Sequence, residues 1–199
     1  IDSEGDLFIP EVEEGVSWQT DRFGTPGTLK FSIPKENIGR FEEGDHVALQ
    51  IDGKDIFYGF VFTKKSSGKS DMVEVTAYDQ LRYLKNKDTY VYEDKTAGDL
   101  IRMLAADFQL QTGEIEDTGF RIASRVEDNS TLFDIVQNAL DLTLTNTGQM
   151  YVLFDDYGKL ALKNISHMAL NFLVEPSSGE EYSYTSSIDS GTYNKVKLS

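Results

Sequence analysis

With 199 residues, 39% hydrophobic and 12% aromatic, the chain suits one or two domains and can bury roughly 70% of its unfolded surface, which excludes global disorder. Nineteen basic against 34 acidic residues leave a net charge of −15. That balance argues against a nucleic-acid grip or an anionic membrane surface, because both depend on Lys and Arg. The sequence holds no cysteine, so disulfides, zinc–thiolate sites and thiol nucleophiles are excluded. No apolar run approaches the ~20 residues that span a bilayer, and no signal-peptide pattern opens the sequence. Ile1 in place of Met predicts an engineered or processing boundary. Residues 193–199 alternate like the opening of a strand and then stop, which predicts a truncated protein.

Residues 1–15 are acidic and carry few periodic signals, and Val16, Ser17 and Trp18 start a first strand. Residues 21–27 are a turn cluster, since Gly supplies positive φ and Pro sets a bend. Four short strands follow. Leu29, Phe31 and Ile33 share one face, and Val47, Leu49 and Ile51 repeat the pattern. Residues 56–62 run back, and Val73, Val75 and Ala77 form the fourth strand. Asp52-Gly53 between alternating strands signals a type I′ hairpin, which needs φ > 0 at both central positions. Such a meander predicts a small barrel. The polar loop 64–71 carries Lys64, Lys65 and Lys69, the most basic patch in the chain.

After Asp79 the pattern changes. Leu81, Tyr83 and Leu84 fit a helical turn, and residues 89–92 a short extended piece. Thr96 and Asp99 are spaced as a capping box, ahead of Leu100, Leu104 and Phe108 at helical spacing; this helix is expected to end near Phe108. Residues 120–126 read as a strand. Ser130 is expected to cap a second helix through Leu132, Val136 and Leu140. Thr143, Thr145 and Thr147 then favour extended chain, and residues 150–154 and 160–163 form a hairpin around residues 155–158. From Leu170 the strands return at 172–174, at 182–185 and from Tyr193. The fold class expected is α+β, mainly β: a small antiparallel β-barrel (1–92), an inserted α+β module (93–168) and the start of a second β-barrel (169–199), apparently truncated.

Chemistry-bearing motifs are sparse. The two histidines, His46 and His167, lie far apart and have no partner motif for nucleophilic catalysis. His46 falls on the polar face of its strand and His167 in a junction, so both read as ordinary surface residues. No G-x-S-x-G elbow is present. Glu114, Glu116 and Asp117 read as a solvated loop rather than a catalytic pair. Asp155-Asp156 lacks the ligand spacing of a calcium loop and reads as hairpin geometry. Gly68-Lys69-Ser70 ends like a phosphate loop, but Thr63 stands where the first Gly would be and a strand follows. No cofactor or metal is expected. The aromatics of residues 56–62 occur on both faces of one strand, so both faces are expected to be covered, by core or by a partner chain.

The ordered set of segments 41–62, 72–84, 95–101, 129–135 and 151–162 resembles the XkdQ-like proteins of prophages with contractile tails, relatives of the phage late-control D proteins and of baseplate hubs. The resemblance implies a non-enzymatic virion structural protein at the tail baseplate, made in the bacterial cytoplasm. It implies a homotrimeric hub of two similar barrels per subunit, joining the tail tube to a puncturing spike protein. DNA would pass the acidic lumen without specific binding, and the chain would not insert in a membrane. Candidate subunit or tube contacts are Phe57, Tyr58, Phe60, Phe62, Lys64, Lys65 and Lys69. The competing expectations are a tail-associated peptidoglycan hydrolase using a carboxylate pair and, behind it, a carbohydrate-binding module.

Overall fold

The computed structural model describes residues 7–171. The strands expected beyond Asn171, and with them the start of the second barrel, lie outside the described residues. Within them the chain is mainly β with few helices, as its alternating patterns require.

β1 (Ser17–Gln19), β2 (Thr28–Pro34), β3 (His46–Ile51), β4 (Lys54–Ser66) and β5 (Met72–Tyr78) form one antiparallel sheet in the order β1-β2-β5-β4-β3. Only β3, β4 and β5 follow one another as a meander. β2 pairs with β5, from Thr28 opposite Tyr78 to Pro34 opposite Met72. The connection through the 3-10 turn Lys35–Asn37 carries the chain past two strands to β3 at the far edge. The sheet curls into a half-barrel whose edges are β1 and β3. Its concave side buries Leu29, Phe57 and Ala77 in one cluster and Ile33, Val61, Val73 and Val75 in another. Asp52 (φ 51°) and Gly53 (φ 73°) take the positive φ values of a type I′ turn. Ile51, expected on the apolar face, is exposed: the register shifts between Leu49 and Gln50, which breaks the alternation before the turn.

A 3-10 turn, Gln80–Lys85, leads from β5 into the second layer. β6 (Lys87–Lys95) pairs with β8 (Ile122–Thr131) in a two-stranded ribbon, so this ladder links residues on both sides of position 92 to the later segment. β9 (Tyr151–Asp155) and β10 (Leu160–Asn164) form a hairpin, and β7 (Thr112–Ile115) adds to β10 in parallel. α1 (Ala97–Asp107) and α2 (Leu132–Thr147) pack over these strands. Leu100, Leu104, Ile135, Ala139, Leu160 and Leu162 are buried together in their shared core. Glu114, expected in a solvated loop with Glu116 and Asp117, lies in β7; Thr-Gly-Glu-Ile has no alternation to mark it, and β10 supplies the partner that makes it a strand.

The helix ends follow from side-chain hydrogen bonds. Thr96 Oγ1 accepts the Asp99 amide (3.1 Å) while Asp99 Oδ2 accepts the Thr96 amide (3.2 Å), completing the capping box. The second cap is Thr131, which accepts the Asp134 amide at 3.1 Å, and not Ser130. The Ser130 hydroxyl instead turns back and donates to the Asp128 carbonyl at 3.2 Å. Thr143, Thr145 and Thr147, expected as extended chain, continue α2. Their hydroxyls donate to the carbonyls of Ala139, Asp141 and Thr143 at 2.8–2.9 Å, so each polar group is satisfied inside the helix. Gly148 (φ 70°) ends it in the left-handed conformation. Thr96→Ala removes one cap of the buried helix and is expected to cost ~1 kcal/mol in urea denaturation; an unchanged unfolding midpoint would contradict the capping assignment.

Candidate functional site

The period-2 geometry of β4 separates its side chains into two sets. Phe57, Gly59 and Val61 are buried on the concave side. Tyr58, Phe60 and Phe62 stand on the convex side, each half-buried. There they join an aromatic row drawn from several elements. His46 of β3 lies opposite Phe60 in register, 4.7 Å from its ring, and shares a hydrogen bond of 2.8 Å with the Tyr58 hydroxyl. Tyr83 of the 3-10 turn meets Phe60 edge-on at 6.1 Å, and Tyr78 of β5 meets Phe62 edge-on at 5.3 Å. The Arg82 guanidinium lies 5.4 Å from the Phe62 ring centre. Tyr157, at the tip of the β9–β10 hairpin, reaches Tyr58 at 5.5 Å. Such edge-on and cation–π contacts fix ring orientation as well as burying area.

The second covering of β4 that its sequence demands is therefore supplied in part by the chain itself. His46, expected on an ordinary polar surface, is half-buried in this row because the convex side is aromatic rather than solvated. The lysines divide. Lys64 Nζ donates to the Phe41 carbonyl at 2.7 Å and lies 3.6 Å from Glu43, its side chain only 12% exposed. Lys65, 73% exposed, pairs with Glu74 across the ladder at 3.1 Å. Lys69 is exposed in the turn after β4. Lys64 thus braces the 38–43 connection, while Lys65 and Lys69 face solvent. His167 meets Glu116 at 3.0 Å, far from His46 in the chain and in a different layer.

Two glycines permit the close approaches. A Cβ on Gly59 would collide with the Tyr78 carbonyl and the Phe57 ring. A Cβ on Gly158 (φ 82°) would fall 2.6 Å from Tyr58 Cδ1. The hairpin tip and the β4–β5 seam depend on these bare backbones.

A polar junction that sequence reasoning missed follows β5. Asp79, only 4% exposed, follows β5. Its Oδ2 accepts the Gly27 amide at 2.7 Å and its Oδ1 the Leu81 amide at 3.0 Å, which joins the entry to β2 with the start of the 3-10 turn. Gln80 makes a reciprocal pair with Gln111, donating to its carbonyl and accepting its amide, both at 3.1 Å. Asp155, at the end of β9, accepts the Gly158 amide at 2.7 Å through Oδ1, and its Oδ2 is enclosed without a hydrogen-bond partner. Burial pushes Asp79 up to about 7, helped by the charge of Asp155 and opposed by the Gly27 and Leu81 amides. Burial likewise pushes Asp155 up to about 6, opposed by the Gly158 amide and neighbouring Gln80 and helped by Asp156. The turn role of residues 155–158 was legible; the partial burial of Asp155 was not, because its neighbour Gln80 is distant in the sequence.

A second feature is an apolar groove of 550 Å³ lined by Leu29, Phe31, Val47 and Leu49, by Phe8 of the N-terminal segment, and by His46 and Tyr157 of the aromatic row. Phe8 stacks on Phe41 at 6.4 Å. Neither this groove nor the smaller cavity beside α2 is lined by Asp79 or Asp155. Among the described residues, no group of three or more His, Cys, Asp or Glu is placed to hold a metal ion, and no helix is long and apolar enough to cross a membrane.

Comparison with known proteins adds a family. The model of the YQBQ-like family matches residues 16–199. The chain is 36% identical over 198 residues to the uncharacterized protein YqbQ of Bacillus subtilis, covering 96% of this chain and 60% of that protein. It is 35% identical over 162 residues to the phage-like element PBSX protein XkdQ of the same organism, covering 78% of this chain and 49% of that protein. The chain thus spans between half and three-fifths of these relatives. Two solved structures share the fold. One is the 43 kDa tail protein of prophage MuSo2 from Shewanella oneidensis (TM-score 0.55, 14% identity, 70% of this chain and 45% of that one). The other is a tail protein from Neisseria meningitidis (TM-score 0.57, 15% identity, 73% of this chain and 44% of that one).

Gly59→Ala sets a methyl group against the Tyr78 carbonyl, and the expected loss is ~2 kcal/mol or more in denaturant unfolding. A variant as stable as the parent would show that the seam of β4 and β5 is looser than described.

Proposed function

The chain belongs to the YQBQ-like family, and from that membership we propose that it is a structural component of a phage tail: a subunit of a baseplate hub ring that joins the tail tube to the puncturing spike. The observation that carries this reading is the 35% identity with a PBSX phage-like element protein over 78% of the chain. The fold shared with two phage tail proteins supports it. On this reading the protein resides in the virion tail and acts by assembly rather than catalysis.

The half-barrel suits that work. Among the described residues its sheet ends in two edge strands, β1 and β3, and sheet edges are where another strand or subunit adds. The half-buried row of Tyr58, Phe60 and Phe62 offers aromatic surface of the type enriched at protein interfaces. Lys65 and Lys69 extend beyond it as exposed cations on a strongly acidic chain. A homotrimer has cyclic symmetry, so the contact is heterologous and closes by rotation. A net charge of −15 favours passage of DNA through a lumen without sticking. The peptidoglycan hydrolase reading needs an accessible carboxylate pair. The two carboxyls that burial pushes highest, Asp79 and Asp155, lie outside both cavities and hold backbone amides instead.

The test is light scattering of the full-length family protein, alone and with its tube and spike proteins. A trimer that binds them is expected, and Phe60→Ala is expected to weaken the assembly by ~1–3 kcal/mol if the aromatic row is a contact. A clean monomer at high concentration that ignores both partners would overturn the hub reading. Release of fragments from purified peptidoglycan would replace it with the hydrolase.

A further inference from the structure

The apolar groove runs along the edge of a strand. Residues 45–50 all line it. Successive side chains of a strand point to opposite faces, so a pocket on one face of β3 would take in every second residue only. In register, Val47 and Leu49 lie opposite Gly59 and Phe57 of the concave side, and His46 and Ala48 opposite Phe60 and Tyr58 of the aromatic side. A hollow that takes in both sets follows the edge of β3 itself. Among the described residues β3 pairs with β4 alone, and a strand with one neighbour turns alternate N–H and C=O groups outward.

The far wall is the N-terminal segment, through Leu7, Phe8, Ile9, Pro10 and Val12. Phe8 anchors it, stacked on Phe41 at 6.4 Å with the Arg40 guanidinium 5.1 Å from its ring centre. The Glu13 amide donates to the Ser32 carbonyl at 3.0 Å, which fastens the segment to β2 and not to β3. Residues 7–16 form no strand with β3, and Pro10 has no N–H to give. Leu7 and Ile9 are 71% and 80% exposed. The result is a slot with a strand edge on one side, apolar side chains on the other and an open mouth. The register shift between Leu49 and Gln50 ends the regular edge, so the length on offer is residues 46–49, roughly 13 Å.

Charge narrows the choice of occupant. Segments 7–16 and 40–55, which frame the slot, carry eight acidic and two basic residues. Of the basic ones, Arg40 is held over Phe8. A second copy presenting the same acidic edge is repelled, and a cationic segment is attracted.

We propose that the β3 edge receives an extended segment of another protein as an added strand, one with alternating apolar residues and with Lys or Arg at its flanks. Its main chain pairs with β3, the mode by which sheet edges bind extended peptides. Side chains on one side of it enter the lining of Leu29, Phe31 and Val47, and those on the other meet His46 and Tyr157. The flanking cations face the surrounding acids, Glu11, Glu13 and Glu14 among them. This deepens the assembly reading: it rests on that reading for the partner being a protein, and on the slot for where and how it binds.

The probe is a synthetic peptide with a core of alternating Val and Thr and two Lys at each end, titrated into the full chain at low ionic strength and followed by amide NMR. Saturable shifts are expected at residues 46–49, with a Kd below about 1 mM. N-methylation removes donors while keeping side chains, and the two alternate sets of core residues are methylated separately. One set is expected to weaken binding about tenfold or more, and the set facing away from β3 to change it little. Exchanging the peptide's Lys for Glu is expected to weaken binding about fivefold or more. No shift at 46–49 at about 1 mM peptide, indifference to both methylations, or equal binding of the Glu peptide would each overturn the proposal. So would full exchange protection of the 46–49 amides in the free protein, which would mean that this chain or a second copy already occupies the edge. Light scattering with tube and spike proteins decides the hub reading without reference to the peptide, so the failure of either is told from the failure of the other.

Discussion

Asp79 ties the sheet to the turn that leaves it. The residue sits where the sheet ends and the second layer begins, and its two oxygens each take a backbone amide, one from Gly27 before β2 and one from Leu81 in the 3-10 turn. Gly27 has to be glycine for this: any Cβ there would collide with Asp79 Oδ2. The same carboxyl thus sets where β2 enters the sheet, where β5 stops and in which direction the chain leaves. Burying it costs solvation, and that cost appears as a proton held far more tightly than an ordinary aspartate holds one.

The aromatic row depends on this placement. Tyr83 reaches Phe60 because the turn after Asp79 lays it across β4, and Gln80 in the same turn fastens to Gln111 ahead of β7. β7 in turn supports β10, and the hairpin brings Tyr157 to Tyr58. A strand apolar on both sides has to be covered twice. Here the concave side is closed by the half-barrel core, and the convex side only partly, by rings that leave Tyr58, Phe60 and Phe62 half-buried. Partial cover of this kind is the physical basis for reading the face as a contact surface.

Much of the local structure was legible because it is decided within a few residues. The capping box of Thr96 and Asp99 spans three positions, and Asp52-Gly53 carries its own turn geometry. The errors share one cause. Ser130 looked like a cap, but its hydroxyl turns back to the Asp128 carbonyl, and Thr131 is the residue that accepts the Asp134 amide. Thr143, Thr145 and Thr147 looked extended by intrinsic preference. Burial of α2 against the core, with Thr143 itself buried, overrode that preference, and the hydroxyls found carbonyls four residues back. His46 looked solvated because its neighbours in the sequence gave no hint of the ring that covers Phe60.

The sequence by itself determined the mainly β class, most elements and turns, the absence of thiol chemistry and a family-wide pattern that the 36% identity with YqbQ bears out. These rest on composition, on period-2 and period-3.6 patterning and on contacts between near neighbours. Tertiary structure alone decided that β2 lies beside β5, that the half-barrel leaves β3 at an edge, and that Asp79 is buried against the amides of Gly27 and Leu81. A strand's own pattern states which face is buried but not which strand will flank it. A lone aspartate's environment, and so its charge, is set by groups that only folding brings near.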